Sequence, residues 1–276
     1  MSGPKRGDLA STHYSMLAYP GGKGWFIPRA SKWLRTTGPV DTLVEPFAGS
    51  AVVGLWAVFE RRARRAVLSD LDPNVVALWS VVFGRSERDA DRLARLINEF
   101  QPTRSNAEAV VYGDCETTVD AAFRTLVRNR YLYGGVIDPA MGKFYAQADE
   151  QGRRRWIREA LIQRLYLLRS CRRFVTFEEA DALAVLEEHP DAHAFVDPPY
   201  TAGGDNAGAR LYARNELDHS RLFDICASRG GPSVLTYDDN DEVRALASER
   251  RMRVERVPMK SGRNRRMHEL AIWADR

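Results

Sequence analysis

The chain has 276 residues, 44% of them hydrophobic, enough for one large α/β domain or a core domain carrying a smaller insertion. Its formal charge of +4, from 41 basic and 37 acidic residues, and isoelectric point of about 9.0 permit a nucleic-acid partner without requiring one. No run of about eighteen apolar residues occurs, which excludes a membrane-spanning helix, and the scattered Cys115, Cys171 and Cys226 give neither a disulfide framework nor zinc spacing and fit a reducing cytosol.

Met1 to Thr12 is polar, lacks an apolar signal segment and reads as a partly disordered leader. The first informative stretch is Tyr19-Pro20-Gly21-Gly22-Lys23. Paired glycines let a backbone approach a ligand closely. Lys23 then opens a stretch in which Phe26, Ile27, Ala30, Trp33 and Leu34 recur at helical spacing. By itself this is a loop before an amphipathic helix. Leu43 and Val44 predict the first core strand, and Gly49 in Glu45-Pro46-Phe47-Ala48-Gly49-Ser50-Ala51 marks a sharp strand-to-helix turn, with Ser50 as N-cap of a helix over Ala51 to Arg61. A dinucleotide-binding turn would read G-x-G-x-x-G. Here Phe47-x-Gly49-x-Ala51 holds one glycine, which suits a ligand without phosphate. Ala66 to Ser69 predicts the second strand, ending in Asp70, twenty-one positions after Gly49. In nucleotide-binding α/β folds an acid there accepts hydrogen bonds from ribose hydroxyls. Asp72 is expected to cap the helix that begins at Pro73.

From Trp79 to Ser170 strand signals vanish and charged helical stretches take over, through Leu93, Leu96, Ile97 and Phe100, then Ala121, Phe123, Leu126 and Val127. Between Arg128 and Gln147 glycines, tyrosines and basic residues alternate, as suits a hairpin or loop on a nucleic-acid surface, with Arg128, Asn129 and Lys143 as candidate contacts. The plainer alternative is a helical cap with a solvated basic face. Phe174 to Phe177 resumes the sheet. His189 and His193 are separated by Pro190 and the onset of a strand, so no metal site is expected there or elsewhere.

Ala194-Phe195-Val196 reads as a buried strand that stops at Asp197-Pro198-Pro199-Tyr200, because two prolines cannot extend a ladder. A carboxylate, a rigid backbone carbonyl and a flat ring therefore stand at a strand's carboxyl end, where open α/β sheets bind ligands. Asp197 and the Pro198 carbonyl can each accept one N–H of an exocyclic amino group and aim its lone pair at an electrophile, while Tyr200 stacks on the base. The glycine-rich residues 201–208 suit a lid. Leu217 to Ser228 predicts a helix and Ser233 to Tyr237 a strand. The basic loop Ser261 to Arg266, with Arg263, Arg265 and Arg266, precedes a last strand over Glu269 to Trp273 and suits phosphate contact.

Taken in order, these segments resemble the Dam-type adenine methyltransferases (alpha class, D12 family) over nearly the whole chain. The resemblance rests on Tyr19-x-Gly21-Gly22-Lys23, Phe47-x-Gly49, the acid Asp70, an insertion, Asp197-Pro198-Pro199-Tyr200 and a late basic hairpin. It implies a Rossmann-like α/β sheet of the S-adenosylmethionine-dependent methyltransferase type, formed by residues 1–78 and 171–276, with a mostly helical target-recognition domain inserted at 79–170. It implies S-adenosylmethionine as cofactor, against Tyr19, Gly22, Lys23, Phe47, Gly49, Asp70 and Asp197, with Asp181 where a third acid meets the cofactor adenine and Glu178 and Glu179 as competitors. The implied reaction is methyl transfer to adenine N6 of a flipped base in duplex DNA, with Lys23 also able to face DNA. Asp197, Pro198 and Tyr200 are then catalytic, and no cysteine nucleophile is needed. Expected partners are double-stranded DNA and a cognate restriction endonuclease, the expected state a monomer or weak dimer, and the expected setting the cytoplasm, as a bacterial or phage-encoded enzyme acting on the nucleoid. The alternatives are an N4-cytosine or ribosomal-RNA adenine methyltransferase, or a nucleic-acid-binding module that has lost catalysis.

Overall fold

The computed structural model describes residues 14–17, 22–140, 142–199, 217–260 and 266–274. The expectations for the leader, Tyr19, Tyr200, the loop at 201–208, Arg263 and Arg265 lie outside these residues.

Seven strands form one sheet: β1 (Val40–Glu45), β2 (Ala63–Asp70), β3 (Val175–Glu179), β4 (His193–Val196), β5 (Ser233–Asp238), β6 (Arg253–Lys260) and β7 (Arg266–Ala274). Their order is β3-β2-β1-β4-β5-β7-β6. The first five run parallel, whereas β7 is antiparallel to both β5 and β6. The chain moves outward from β1 to β3, then returns to the other side of β1 with β4. The order thus reverses between β1 and β4, where Val44 lies beside Ala194. Ligand crevices of doubly wound sheets open at such a switch point, at the carboxyl ends of the strands.

Adjacent strand residues feed opposite faces, as the two-residue period requires. Leu43, Leu68, Val234 and Ala271 enter one hydrophobic cluster, and Val44, Val67, Leu235 and Ile272 the other. Both faces are covered, which is why these strands read as near-continuous apolar runs. On the first face lie α1 (Ile27–Thr36), entered through a 3-10 turn at Lys23–Phe26, and α2 (Val52–Phe59). On the second lie α9 (Ala182–Glu188), α10 (His219–Ser228) and α11 (Asp241–Glu249).

Between β2 and β3 run α3 (Pro73–Phe83), α4 (Glu87–Glu99), α5 (Arg104–Tyr112), α6 (Thr118–Tyr131), α7 (Ala148–Arg155) and α8 (Arg158–Ser170). Side-chain caps start the first four: Asp72 for α3, Ser86 for α4, Thr103 for α5, and a reciprocal Thr117–Asp120 box for α6. Leu126, Tyr131, Trp156 and Leu165 of these helices share one core with Leu55 and Trp79. The expected start of the insertion at 79 falls inside α3, where Trp79 is fully buried. The alternation expected between 128 and 147 resolves into the end of α6, a 3-10 turn at Tyr133–Gly135 and a bridge between Leu132 and Phe144. Among the described residues no helix is long and apolar enough to cross a membrane.

One local expectation is corrected. Ser50 does not cap α2; Ala51 is its N-cap and has a left-handed φ of 53°. The helix begins one residue late because the turn before it uses two left-handed residues, Gly49 and Ala51. The first amides of α2 are met instead by a side chain from β1, as Glu45 Oε2 accepts from Gly54 N at 2.6 Å.

Candidate active site

Asp197 is the first residue beyond β4, and the buried Pro198 and Pro199 end the ladder there. The neighbouring strand β5 supplies Thr236, whose hydroxyl donates to Asp197 Oδ1 at 2.7 Å. From the 3-10 turn before α1 comes Lys23, 3% exposed, with Nζ 2.9 Å from Asp197 Oδ1 and 3.5 Å from Glu269 Oε2. Glu269 belongs to β7 and stands opposite Asp238 of β5. A carboxylate offers about four acceptor sites, so Oδ1 of Asp197 can serve both Thr236 and Lys23.

Burial alone would lower the Lys23 pKa, but Asp197 and Glu269 together outweigh it and raise it. Burial pushes Glu269 up to about 7 against the pull of Lys23, with Asp197 and Asp238 adding to the rise. Asp238 is raised chiefly by burial as well. Glu45, at the end of β1, is pushed up to about 8 by burial although the Gly54 and Val53 amides favour its charged form. Asp197, Asp238 and Glu269 thus lie around the Lys23 ammonium, with Glu45 close enough to Asp197 to feel its charge.

Beside this cluster the β1–α2 turn is tied down at several points. Gly49 N donates to Asp70 Oδ2 at 2.8 Å, Ala48 N to Ser69 O at 2.8 Å, and Trp79 Nε1 to Gly49 O at 2.9 Å. Asp70 Oδ1 accepts from Asp72 N at 2.9 Å. Part of Asp70 touches solvent, but its carboxyl is folded between these amides, and burial pushes it up to about 6. Asp70 therefore joins the end of β2 to the glycine turn. Phe47 is half-buried in that turn, and the exposed Gly22 immediately precedes Lys23.

Other residues fall elsewhere. Asp181 is the N-cap of α9, its Oδ1 accepting from Leu183 N and Ala184 N. Arg128 and Asn129 are corrected from surface contacts to interior brackets. Arg128 donates to Val111 O and Asn74 Oδ1, and the fully buried Asn129 donates to Gly135 O. Main-chain carbonyls draw these polar groups inward, since a buried carbonyl needs a donor. Lys143 is exposed. Near it Tyr133 is 53% and Tyr112 65% exposed, with the Arg104 guanidinium 5.7 Å from the Phe144 ring centre. Arg266 opens β7, paired with Lys260.

Sequence reasoning missed Thr236, Glu269 and Glu45. Glu45 carried a usable signal, an acid closing an apolar strand, whereas Glu269 precedes an ordinary apolar run and carried none.

The family described as D12 class N6 adenine-specific DNA methyltransferase matches residues 19–259. No protein of curated function matches the chain. Among solved structures, the chain is similar to a precorrin 8w decarboxylase of Methanobacterium thermoautotrophicum at 13% identity, covering 94% of each chain with a TM-score of 0.36. It is also similar to a precorrin-6y C5,15-methyltransferase of Geobacter metallireducens at 14% identity, covering 88% of this chain and 84% of that one with a TM-score of 0.35. Likenesses this distant add nothing to the strand order described above.

Proposed function

The chain belongs to the D12 class of N6 adenine-specific DNA methyltransferases, and from that premise we propose that Asp197 and the Pro198 carbonyl hold the adenine amino group for transfer of a methyl group from S-adenosylmethionine. The residues around the switch point fit that cofactor by charge. Asp197, Asp238 and Glu269 stand around the single Lys23 ammonium, a setting that suits a cationic ligand better than a phosphate-bearing one. Gly22, Lys23, Phe47, Gly49 and Asp70 would hold it, with Tyr19 and Asp181 as further candidates. When bound, S-adenosylmethionine supplies an electrophilic methyl group on a sulfonium centre.

The chain's own residues do the rest. Thr236 and Lys23 fix Oδ1 of Asp197, which orients the carboxylate before substrate arrives. Asp197 accepts one amino N–H and Pro198 the other, drawing the nitrogen lone pair out of the ring. Tyr200, two residues after Pro198, stacks on the base. As positive charge develops on the nitrogen, the fixed carboxylate stabilises it more than it stabilises the neutral amine. The target atom is inaccessible in a stacked duplex, so the adenine is flipped out.

The basic and aromatic face around Lys143, Tyr133, Tyr112 and Arg104 is the proposed DNA face of the inserted helices, with Arg263, Arg265 and Arg266 touching phosphates. We read the protein as a monomer or weak dimer working in the cytoplasm, with a cognate restriction endonuclease as a candidate partner. The observation that carries the reading is the Thr236–Asp197–Lys23 arrangement at the switch point. Asp197→Ala is expected to reduce methyl transfer by about a hundredfold or more, with calorimetric cofactor affinity partly retained. Wild-type activity in that variant refutes the assignment. Long-read mapping of methylated bases in expressing cells reports the base and its sequence context together; N4-methylcytosine as the product would replace adenine as the target.

A further inference from the structure

Residues 14–17 are buried although they belong to no helix or strand. Tyr14 stacks on Phe59 at 5.3 Å, and its hydroxyl donates to Glu60 Oε1 at 2.8 Å. The carbonyls that follow are held by arginines of the inserted helices. Arg130 of α6 donates to Met16 O at 2.7 Å, and Arg164 of α8 donates to Ser15 O at 3.1 Å.

Arg130 also donates to Asn129 Oδ1, and Asn129 Nδ2 donates to Gly135 O at 2.7 Å. Gly135 closes the turn that carries Tyr133, whose amide donates to Lys143 O at 2.7 Å. One polar chain therefore runs from the exposed Tyr133–Lys143 turn through Asn129 and Arg130 to Met16. The backbone after Met16 leads to Lys23, which holds Asp197.

Arg130 is 7% exposed, and its charged neighbours are Arg155 and Arg164. Burial pushes it down to about 9, and those two arginines push the same way. A cation buried among cations is costly, and filling one carbonyl would not require it. A guanidinium differs from other donors in being a rigid planar fork, able to fix two acceptors relative to each other. Here the two acceptors are Met16 O, on the path to Lys23, and Asn129 Oδ1, on the path to the exposed turn.

We propose that Arg130, assisted by Arg164, is a positioning residue for methyl transfer, holding the segment that enters Lys23 in register with the DNA-facing turn. DNA engagement at Tyr133 and Lys143 is thereby linked to the placement of the Lys23–Asp197 pair. This rests on the DNA face and catalytic pair proposed above.

Arg130→Lys keeps the charge and loses the fork; Arg164→Gln is the milder variant should the first fail to fold. Amide hydrogen exchange is measured first, on the full chain without DNA. In each variant exchange over 14–17 and 22–26 is expected to quicken about tenfold or more while β4 and β5 stay unchanged. With duplex DNA and S-adenosylmethionine, the single-turnover rate is expected to fall about tenfold while DNA affinity stays within about threefold. Adding Lys23→Met to Arg130→Lys is expected to give less than the product of the separate rate losses.

Unchanged exchange at the two segments in a folded variant overturns the proposal. So does faster exchange throughout, an undiminished single-turnover rate, or fully multiplicative losses. If the wild-type protein methylates no duplex, the function proposed above fails, and the exchange comparison still decides whether Arg130 orders the approach to Lys23.

Discussion

Glu45 illustrates what one buried carboxyl costs and contributes. Its oxygen receives the Gly54 amide at the start of α2, yet burial pushes its pKa from 4.5 up to about 8. A carboxyl raised in the folded state binds its proton more tightly there than in the unfolded chain. Its contribution is fully present below about pH 4.5 and is lost as pH rises toward 8. Glu269, raised to about 7, acts in the same direction over a narrower window. Glu45→Gln keeps an acceptor for the amide and removes the titration. We expect the wild type to lose about 3 kcal/mol relative to this variant between about pH 5 and pH 8, read by urea unfolding. A stability difference that does not vary with pH would show that Glu45 is ionised throughout.

At the scale of elements, α2 lies tight against β1 and β2. A methyl on Gly54 would come within 2.8 Å of both Glu45 Oε2 and Leu68 Cδ2. Helix propensity favours alanine there by about 1 kcal/mol, but overpacking costs about 1–3 kcal/mol. Gly54→Ala is therefore expected to lower the melting temperature, and a rise would mean that α2 can shift away from the sheet. The elements legible in the sequence were those with local signals. β1, β2, β4 and β5 are apolar runs, and Asp72 before Pro73 announced the start of α3. The late start of α2 was hidden because an alanine gives no sign of left-handed backbone. Thr236 meets Asp197 only once β5 has paired with β4, and Glu269 reaches the site only once β7 has paired with β5, so no local spacing could reveal them. Arg128 and Asn129 read as nucleic-acid contacts because the carbonyls that draw them inward, of Val111 in α5 and Gly135 in the following turn, give no sign in the local sequence.

For the whole molecule, the inserted helices join the sheet's own core while presenting Tyr112, Tyr133 and Lys143 outward. Lys143→Ala is expected to weaken duplex binding across sequences and reduce the salt slope by about 1, as the loss of one phosphate contact does. Tyr133→Ala is expected to weaken binding with little change in that slope, because stacking releases no counterions. Fluorescence anisotropy titrations over a range of salt distinguish the two, and unaltered affinity in both would make this face a structural cap.

The Lys23–Glu269 ion pair also bears on biosynthesis. Its two halves leave the ribosome at opposite times, the ammonium early and the carboxylate only with β7. A nascent polypeptide thus holds the Asp-Pro-Pro motif while still lacking the strand that completes its charge balance. Translation must therefore pass β7 before the Lys23–Glu269 pair can form.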